Sequence, residues 1–244
     1  VVMLNKINKS PEINKVYKYW YHDNAFKTGF IHSLSVVFPG GERFFMKSLN
    51  HYSKDCPEFK NEIRMFSIQE SNHTKCHTQL NKKIDNLYNN CVLQDLELAT
   101  HELLNLVHKK LSPELNLIIT EALEHITFNL CESLLERQDV LDQMYSEAKD
   151  VIIYHCLEET GYTHSSIAKR IADKVIIRGC YKLARRLAIR PVTLVLLLVL
   201  FSHLIYIQKQ NKNIRLRETL TGLNDLFGFE GWVRDGLQKA ITTW

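Results

Sequence analysis

Apolar positions along this chain recur at three- and four-residue intervals, the period of an amphipathic α-helix. No segment sustains the two-residue alternation of a half-buried strand, and no repeat of solenoid period is visible. Leu96, Leu98, Leu103, Leu104 and Val107 place one helix over residues 93–110. Ser112-Pro113-Glu114 marks the next start, with Ser as N-cap, Pro at the first helical position and Glu in the first turn, and this helix runs to about Glu136. Upstream, Pro57 suits the first turn of a helix over residues 58–80, with Ile63, Phe66 and Ile68 as its apolar residues. Pro39-Gly40-Gly41 predicts a shorter helix from Glu42 to about His51, and Asn86 to Asn90 reads as a loop. Residues 139–161 and 163–190 form two more helical stretches, and a last segment begins at Arg215. Residues 1–30 are weakly patterned and read as an N-terminal arm. The expectation is an all-α protein with a helical domain over 31–190. A hydrophobic helix and C-terminal helical extension over 191–244 would pack on or beside it.

Composition supports that class. The chain has 244 residues but only nine Gly and five Pro, too few turn residues for a sandwich, a barrel or a doubly wound sheet of this size. A content of 45% hydrophobic and 24% charged residues is that of an ordinary globular chain and excludes collagen and low-complexity disorder. Six cysteines without a Cys-x-x-Cys pair read as free thiols in a reducing compartment. The polar and aromatic opening shows no secretory signal, so the cytoplasm is expected, with the inner face of the membrane as an alternative.

Charge is unevenly placed. Of the net +4, residues 165–190 hold eight Lys/Arg against one Asp, a local +7, which leaves 4 − 7 = −3 for the rest. A general nucleic-acid role is not expected from that distribution. Arg170, Lys174, Arg178, Lys182, Arg186 and Arg190 recur every fourth residue up to Pro191. Residues 191–207 are then almost wholly apolar, at the short end of the roughly 17–25 residues of a bilayer span. Three placements stay open for 191–207: a core helix, a spanning helix, or peripheral membrane contact through 170–207 with the cations on anionic headgroups.

The chemistry concentrates elsewhere. Glu70-x-x-His73-x-x-x-His77 puts three metal-ligand side chains within about 60° of arc on one helix. His155-x-x-x-Glu159 supplies another pair, with Glu158 as the nearest competitor of Glu159. Glu42 and Glu121/Glu124 stand in helical context on two further segments. Four helices that each offer an inward Glu, some with Glu-x-x-His, form the site design of carboxylate-bridged dimetal proteins with a ferritin-like four-helix core. Carboxylates bridge hard cations, and imidazole leaves open positions for water, dioxygen or substrate.

Phe38-Pro39-Gly40-Gly41-Glu42-Arg43-Phe44-Phe45, Ile68-Gln69-Glu70-x-x-His73-x-x-x-His77, Leu111-Ser112-Pro113, Ala122-Leu123-Glu124-His125 and His155-x-x-Glu158-Glu159 together resemble the bacterial family of predicted metal-dependent hydrolases. The likeness is collinear from about residue 30 to 240. It implies a ferritin-like fold with additional C-terminal helices. It also implies two divalent metal ions, iron first and manganese or zinc as alternatives, held by Glu42, Glu70, His73, Glu124, His155 and Glu159. His77 is a seventh ligand or a group behind the ligands, and Glu121 a neighbour of Glu124. The family usually continues the last motif as Glu-Glu-x-Glu-His-Lys, where this chain has Gly161 and Tyr162 in the Glu and His places. Tyr162 is therefore a tyrosinate ligand, or its presence marks a weaker second site or lost activity. The implied activity is hydrolysis, or oxygen-dependent oxidation, of a small organic or lipid-like substrate, with a homodimer left open. The rival reading is a metal-binding or membrane-associated helical protein whose site has decayed.

Overall fold

The computed structural model describes residues 11–212, 216–228 and 231–244, with the backbone alone for 162–165 and 216. The helices are α1 (Ala25–His51), α2 (Lys60–Tyr88), α3 (Val92–Lys110), α4 (Pro113–Leu135), α5 (Gln138–Leu141), α6 (Glu147–Glu159), α7 (Tyr162–Val175), α8 (Gly179–Leu187), α9 (Ile189–Gln210), α10 (Leu216–Phe227) and α11 (Trp232–Thr243). Among the described residues no strand forms, and a single isolated bridge joins Tyr21 to Met144. The all-α expectation holds. α1 lies at the centre, with α2, α3, α4, α9 and α10 packed around it.

The predicted helix start after Gly41 is corrected by the structure. α1 begins sixteen residues before Gly41, at Ala25, where the Asn24 side chain accepts from the Lys27 N–H at 2.9 Å. It runs straight through Pro39-Gly40-Gly41. A proline inside a helix leaves the carbonyl four residues back without its partner. Here that carbonyl belongs to Ser35, and the Asn81 side-chain N–H of α2 donates to it at 3.2 Å. Pro39-Gly40-Gly41 lies inside the helix and is no boundary, because a neighbouring helix takes over the broken hydrogen bond. Upstream of α1, Trp20 and Tyr21 are fully buried, and the Lys27 ammonium is buried against the Asp225 carboxylate at 2.7 Å.

α2 shows how the sequence builds the site. Its buried stripe is Ile63, Phe66, Glu70, His73, His77, Leu80 and Ile84, in steps of three and four. Apolar residues hold both ends of that stripe against α1, and polar ones occupy the middle. The helix continues to Tyr88, beyond the predicted end, and stops at Asn89 in the left-handed conformation (φ 52°). α4 starts as expected, with the Ser112 hydroxyl accepting from the Leu115 N–H at 3.3 Å. Residues 139–161 contain two helices and not one, since the chain turns between Leu141 and Ser146.

The predicted stretch 163–190 is also broken, at Ile176 and Ile177, between α7 and α8. The basic series is therefore not one stripe. Arg170 and Lys174 are committed to Glu62 and Glu58 of the region around the start of α2, whereas Arg178 and the cations after it lie beyond the break. α9 is long and apolar enough to cross a bilayer by length and composition, yet it lies along α1. It buries Leu200, Leu204 and Ile207, and the Gln208 amide donates to the Ala25 carbonyl at 2.6 Å.

α11 closes the far side of α4 through one close approach. A Cβ on Gly236 would meet the Leu130 Cα at 2.9 Å and the Asn129 carbonyl oxygen at 3.0 Å, both backbone atoms of α4. Gly236→Ala should therefore push the two helices apart, in spite of alanine's better helix propensity. The expected loss is about 1–3 kcal/mol of stability, read as a lowered midpoint in urea. An unchanged midpoint would mean that α11 is held less tightly than described.

Candidate metal centre

Four elements converge at the centre of the bundle. α1 supplies Glu42, α2 supplies Glu70, His73 and His77, α4 supplies Glu124, and α6 supplies His155 and Glu159; all seven are buried. Six of them meet. Glu42, Glu70 and His73 form one trio with ligand atoms within 4.8 Å of one another, His73, His155 and Glu159 a second, and Glu42, His77 and His155 a third. Individual separations are 3.9 Å from His73 Nδ1 to Glu70, 3.8 Å from His73 Nδ1 to Glu159, 3.8 Å from His155 Nδ1 to Glu42 and 3.4 Å from His155 Nε2 to Glu159. Glu124 is buried on α4 and belongs to none of the three trios.

The histidines are oriented from behind. Glu158 stands 2.8 Å from His73 Nε2, so that nitrogen carries the proton, and Nδ1 turns its lone pair toward Glu70 and Glu159. Behind His77 lies a longer chain. The Asn81 amide donates to Glu97 at 2.9 Å, and the Ser35 hydroxyl donates to Asn81 Oδ1 at 2.7 Å. Ser35 then has only a lone pair for His77 Nδ1, at 3.0 Å, so His77 Nδ1 is protonated and Nε2 is bare. That bare nitrogen faces His155 Nδ1 at 3.1 Å. Burial, with His73 adding to it, pushes the His77 pKa down to about 3, which keeps the ring neutral. Phe38 packs against the rings of both His77 and His155, with centroids 4.7 and 4.3 Å away.

The carboxylates press on one another. Burial first, and then the charges of Glu70 and Glu159, raise the Glu42 pKa well above the ordinary carboxylate range. One Glu42 oxygen accepts from the Thr74 hydroxyl at 2.7 Å, whereas Oε1 is buried with no hydrogen-bond partner. An unsatisfied carboxylate oxygen inside a buried cluster of acids is a costly arrangement, which a cation of high charge relieves. The donor set fits a divalent or trivalent hard-to-borderline metal ion: carboxylate oxygens and imidazole nitrogens, with no thiolate among them.

Several candidate residues fall outside the cluster. Glu121, one turn from Glu124, is held instead by Arg185 through two hydrogen bonds of 2.6 and 2.5 Å. His125 packs against α11, 3.1 Å from the Ala240 carbonyl. The helix ends at Glu159, Gly161 is extended (ψ 133°), and Tyr162 opens α7, so the helical spacing from Glu159 to Tyr162 is interrupted. The Tyr162 side chain lies outside the described residues. All six cysteines are free thiols. Burial pushes the Cys131 thiol well up, with Cys156 adding to it, which keeps it protonated and inert.

The cluster ends a large cavity of about 770 Å³. Glu42, His155 and Glu159 face it, and its remaining walls are almost entirely apolar, with Phe45 of α1, Leu104 of α3, Leu123 of α4 and Val199 of α9 among them. Sequence reasoning missed this cavity, because apolar residues that line a void read the same as residues that pack. It also missed Ser35, Asn81 and Glu97. Only Asn81 carried a signal, as a polar residue four positions after His77 in register with the α2 stripe, because Ser35 and Glu97 lie on α1 and α3.

A family model described as predicted metal-dependent hydrolase matches residues 9–244. No curated protein and no solved structure matches the chain.

Proposed function

The chain belongs to the predicted metal-dependent hydrolases, and from that premise we propose that it hydrolyses an acyl bond in a substrate whose long apolar chain occupies the cavity. The observation that carries the reading is the meeting of a buried carboxylate/histidine cluster with an apolar void of about 770 Å³. The proposed centre is dinuclear, because the three trios share Glu42, His73 and His155 pairwise, so two neighbouring ions could each draw on one trio and share a donor while keeping positions open for water and substrate. Its ligands are Glu42, Glu70, His73, His155 and Glu159, with His77 presenting a bare Nε2 beside them and Glu124 as the seventh assigned side chain. Iron is the first ion to test, then manganese and zinc. Bound there, such ions lower the pKa of a water molecule and polarise a carbonyl oxygen.

The protein's own groups do the rest. Glu158 fixes the His73 tautomer, and the Glu97–Asn81–Ser35 chain fixes that of His77. Thr74 holds one Glu42 oxygen and leaves the other turned toward His155. The apolar walls bind the chain by excluding water, at about 0.8 kcal/mol for each methylene buried.

The test compares nitrophenyl decanoate with nitrophenyl acetate, before and after chelation and after re-addition of Fe(II), Mn(II) or Zn(II). Turnover lost on chelation, restored by a metal and faster for the decanoyl ester is expected. Turnover indifferent to chelation or to chain length would contradict the reading. One observation favours oxygen-dependent oxidation of the same chain as a second reading. On α6 the wall beside His155 and Glu159 is Ile152 and Cys156, hydrocarbon and thiol in place of hydrogen-bond donors for a developing oxyanion. Metal-dependent oxygen uptake with decanoate and a reductant, without ester hydrolysis, would favour that second reading.

A further inference from the structure

α8 is a helix with no buried residue. It is nevertheless firmly placed. Its Arg185 reaches inward to Glu121 and Asp173, and the Trp244 indole N–H donates to the Arg185 carbonyl at 3.0 Å. Half-buried Tyr181 and Ala184 and buried Ala188 lie on the same side as Arg185 by helical spacing. That orientation turns Leu183 and Leu187 outward, and they are 58% and 62% exposed. Exposed Lys182 and Arg186 flank them, one residue earlier in each case. Arg178 and Arg190, at the two ends of the helix, are exposed as well. Unlike Arg170, Lys174 and Arg185, these four cations make no ion pair among the described residues.

The apolar face does not stop with α8. Ala188 keeps helical dihedrals (φ −64°, ψ −38°) between α8 and α9. Leu194, Val195, Leu198 and Ile205 continue exposed along α9, each by more than half. Two of them, Val195 and Leu198, also line the cavity, as does exposed Leu103 of α3. A residue that is at once cavity wall and outer surface marks the mouth. The opening of the apolar cavity is therefore in the same surface as the exposed leucines and the unpaired cations.

We propose that this α8–α9 surface docks on an anionic lipid bilayer, with the mouth of the cavity facing the membrane. Charge complementarity selects the occupant. Four cations without an ion pair among the described residues, beside an aliphatic stripe, match a plane of anionic headgroups over hydrocarbon, where leucines insert and Lys/Arg stems snorkel. An amphiphile leaving the bilayer then enters the cavity without crossing water. That delivery role rests on the proposed acyl-chain reading of the cavity, whereas docking itself does not.

The experiment floats the full chain with vesicles of phosphatidylcholine alone and of phosphatidylcholine with phosphatidylglycerol. Wild type, Leu183→Asp/Leu187→Asp and Lys182→Glu/Arg186→Glu are compared, with metal content and nitrophenyl acetate turnover measured alongside. Wild type is expected to float with the anionic vesicles and much less with the neutral ones. Each double variant should lose binding by about tenfold or more, the charge-reversal pair through lost attraction to the headgroups and the aspartate pair through lost insertion into hydrocarbon. Metal content and acetate turnover should not change, because none of the four residues touches the cluster or lines the cavity. Should the aspartate pair impair folding, the exposed charge-reversal pair still decides. Wild type that stays with neither vesicle overturns the proposal. So does binding that is insensitive to both pairs, or a wild-type dimer that Leu183→Asp/Leu187→Asp converts to monomer without any vesicle binding. A chain that binds vesicles but holds no metal leaves docking in place and removes the enzymatic reading.

Discussion

Glu70→Ala is expected to hold essentially no metal, and its expected effect on turnover is complete. Glu70 has the most buried carboxylate of the cluster, and it stands 3.9 Å from His73 Nδ1 and within the Glu42 trio. Removing it takes away one anionic donor and the charge that draws a cation between Glu42 and His73. Stability should move in opposite directions with and without metal. In the metal-free protein, Glu70→Gln relieves repulsion with Glu42, whose carboxyl the Glu70 charge helps to hold above its ordinary range. Each kcal/mol relieved should raise Tm by about 2–4 °C in a chain of this length. In the loaded protein the sign reverses, since wild type at metal a hundredfold above Kd gains about 2.7 kcal/mol that the variant cannot. Elemental analysis and paired thermal scans with and without chelator check both. A Glu70→Gln variant less stable than wild type in chelator would show that the carboxylates do not repel as described.

The second large effect lies in the cavity. Val199 of α9 lines it and is half-buried, so Val199→Trp has room to project its ring into the void without displacing a packed neighbour. If the indole denies the substrate about four methylenes, the loss is about 3 kcal/mol, or roughly two hundredfold in the ratio of kcat/KM for the decanoyl over the acetyl ester. The metal count should be that of wild type. A ratio that stays unchanged would place the substrate chain elsewhere.

How much of this was legible in the sequence depends on the residue. Glu70, His73 and His77 were readable because a helix that must bury one stripe placed ligand types in the middle of it, at three- and four-residue steps. His155 and Glu159 followed from the same periodicity. The resemblance to the family, now matched over residues 9–244, supplied their pairing with Glu42 across the bundle, which no local pattern encodes. The boundary at Pro39 misled, because the rescue of the Ser35 carbonyl by Asn81 joins residues 46 positions apart. The single basic stripe over 170–190 misled for the opposite reason. Charge periodicity persisted across the break at Ile176 and Ile177, so one pattern covered cations paired with α2 and the region before it and cations facing solvent. Glu121 and Glu124 look alike to helical periodicity, and only the family resemblance favoured Glu124. One turn apart on α4, they differ in the structure in that Arg185 of α8 holds Glu121.

The central claim is that seven buried side chains exist to hold metal. The most direct measurement is the metal content, by elemental analysis, of wild-type protein purified from iron-supplemented medium. About two ions per chain, removable by a chelator with a fall in Tm, is the predicted result. A chain that retains no ion, and whose Tm chelation leaves in place, would contradict it.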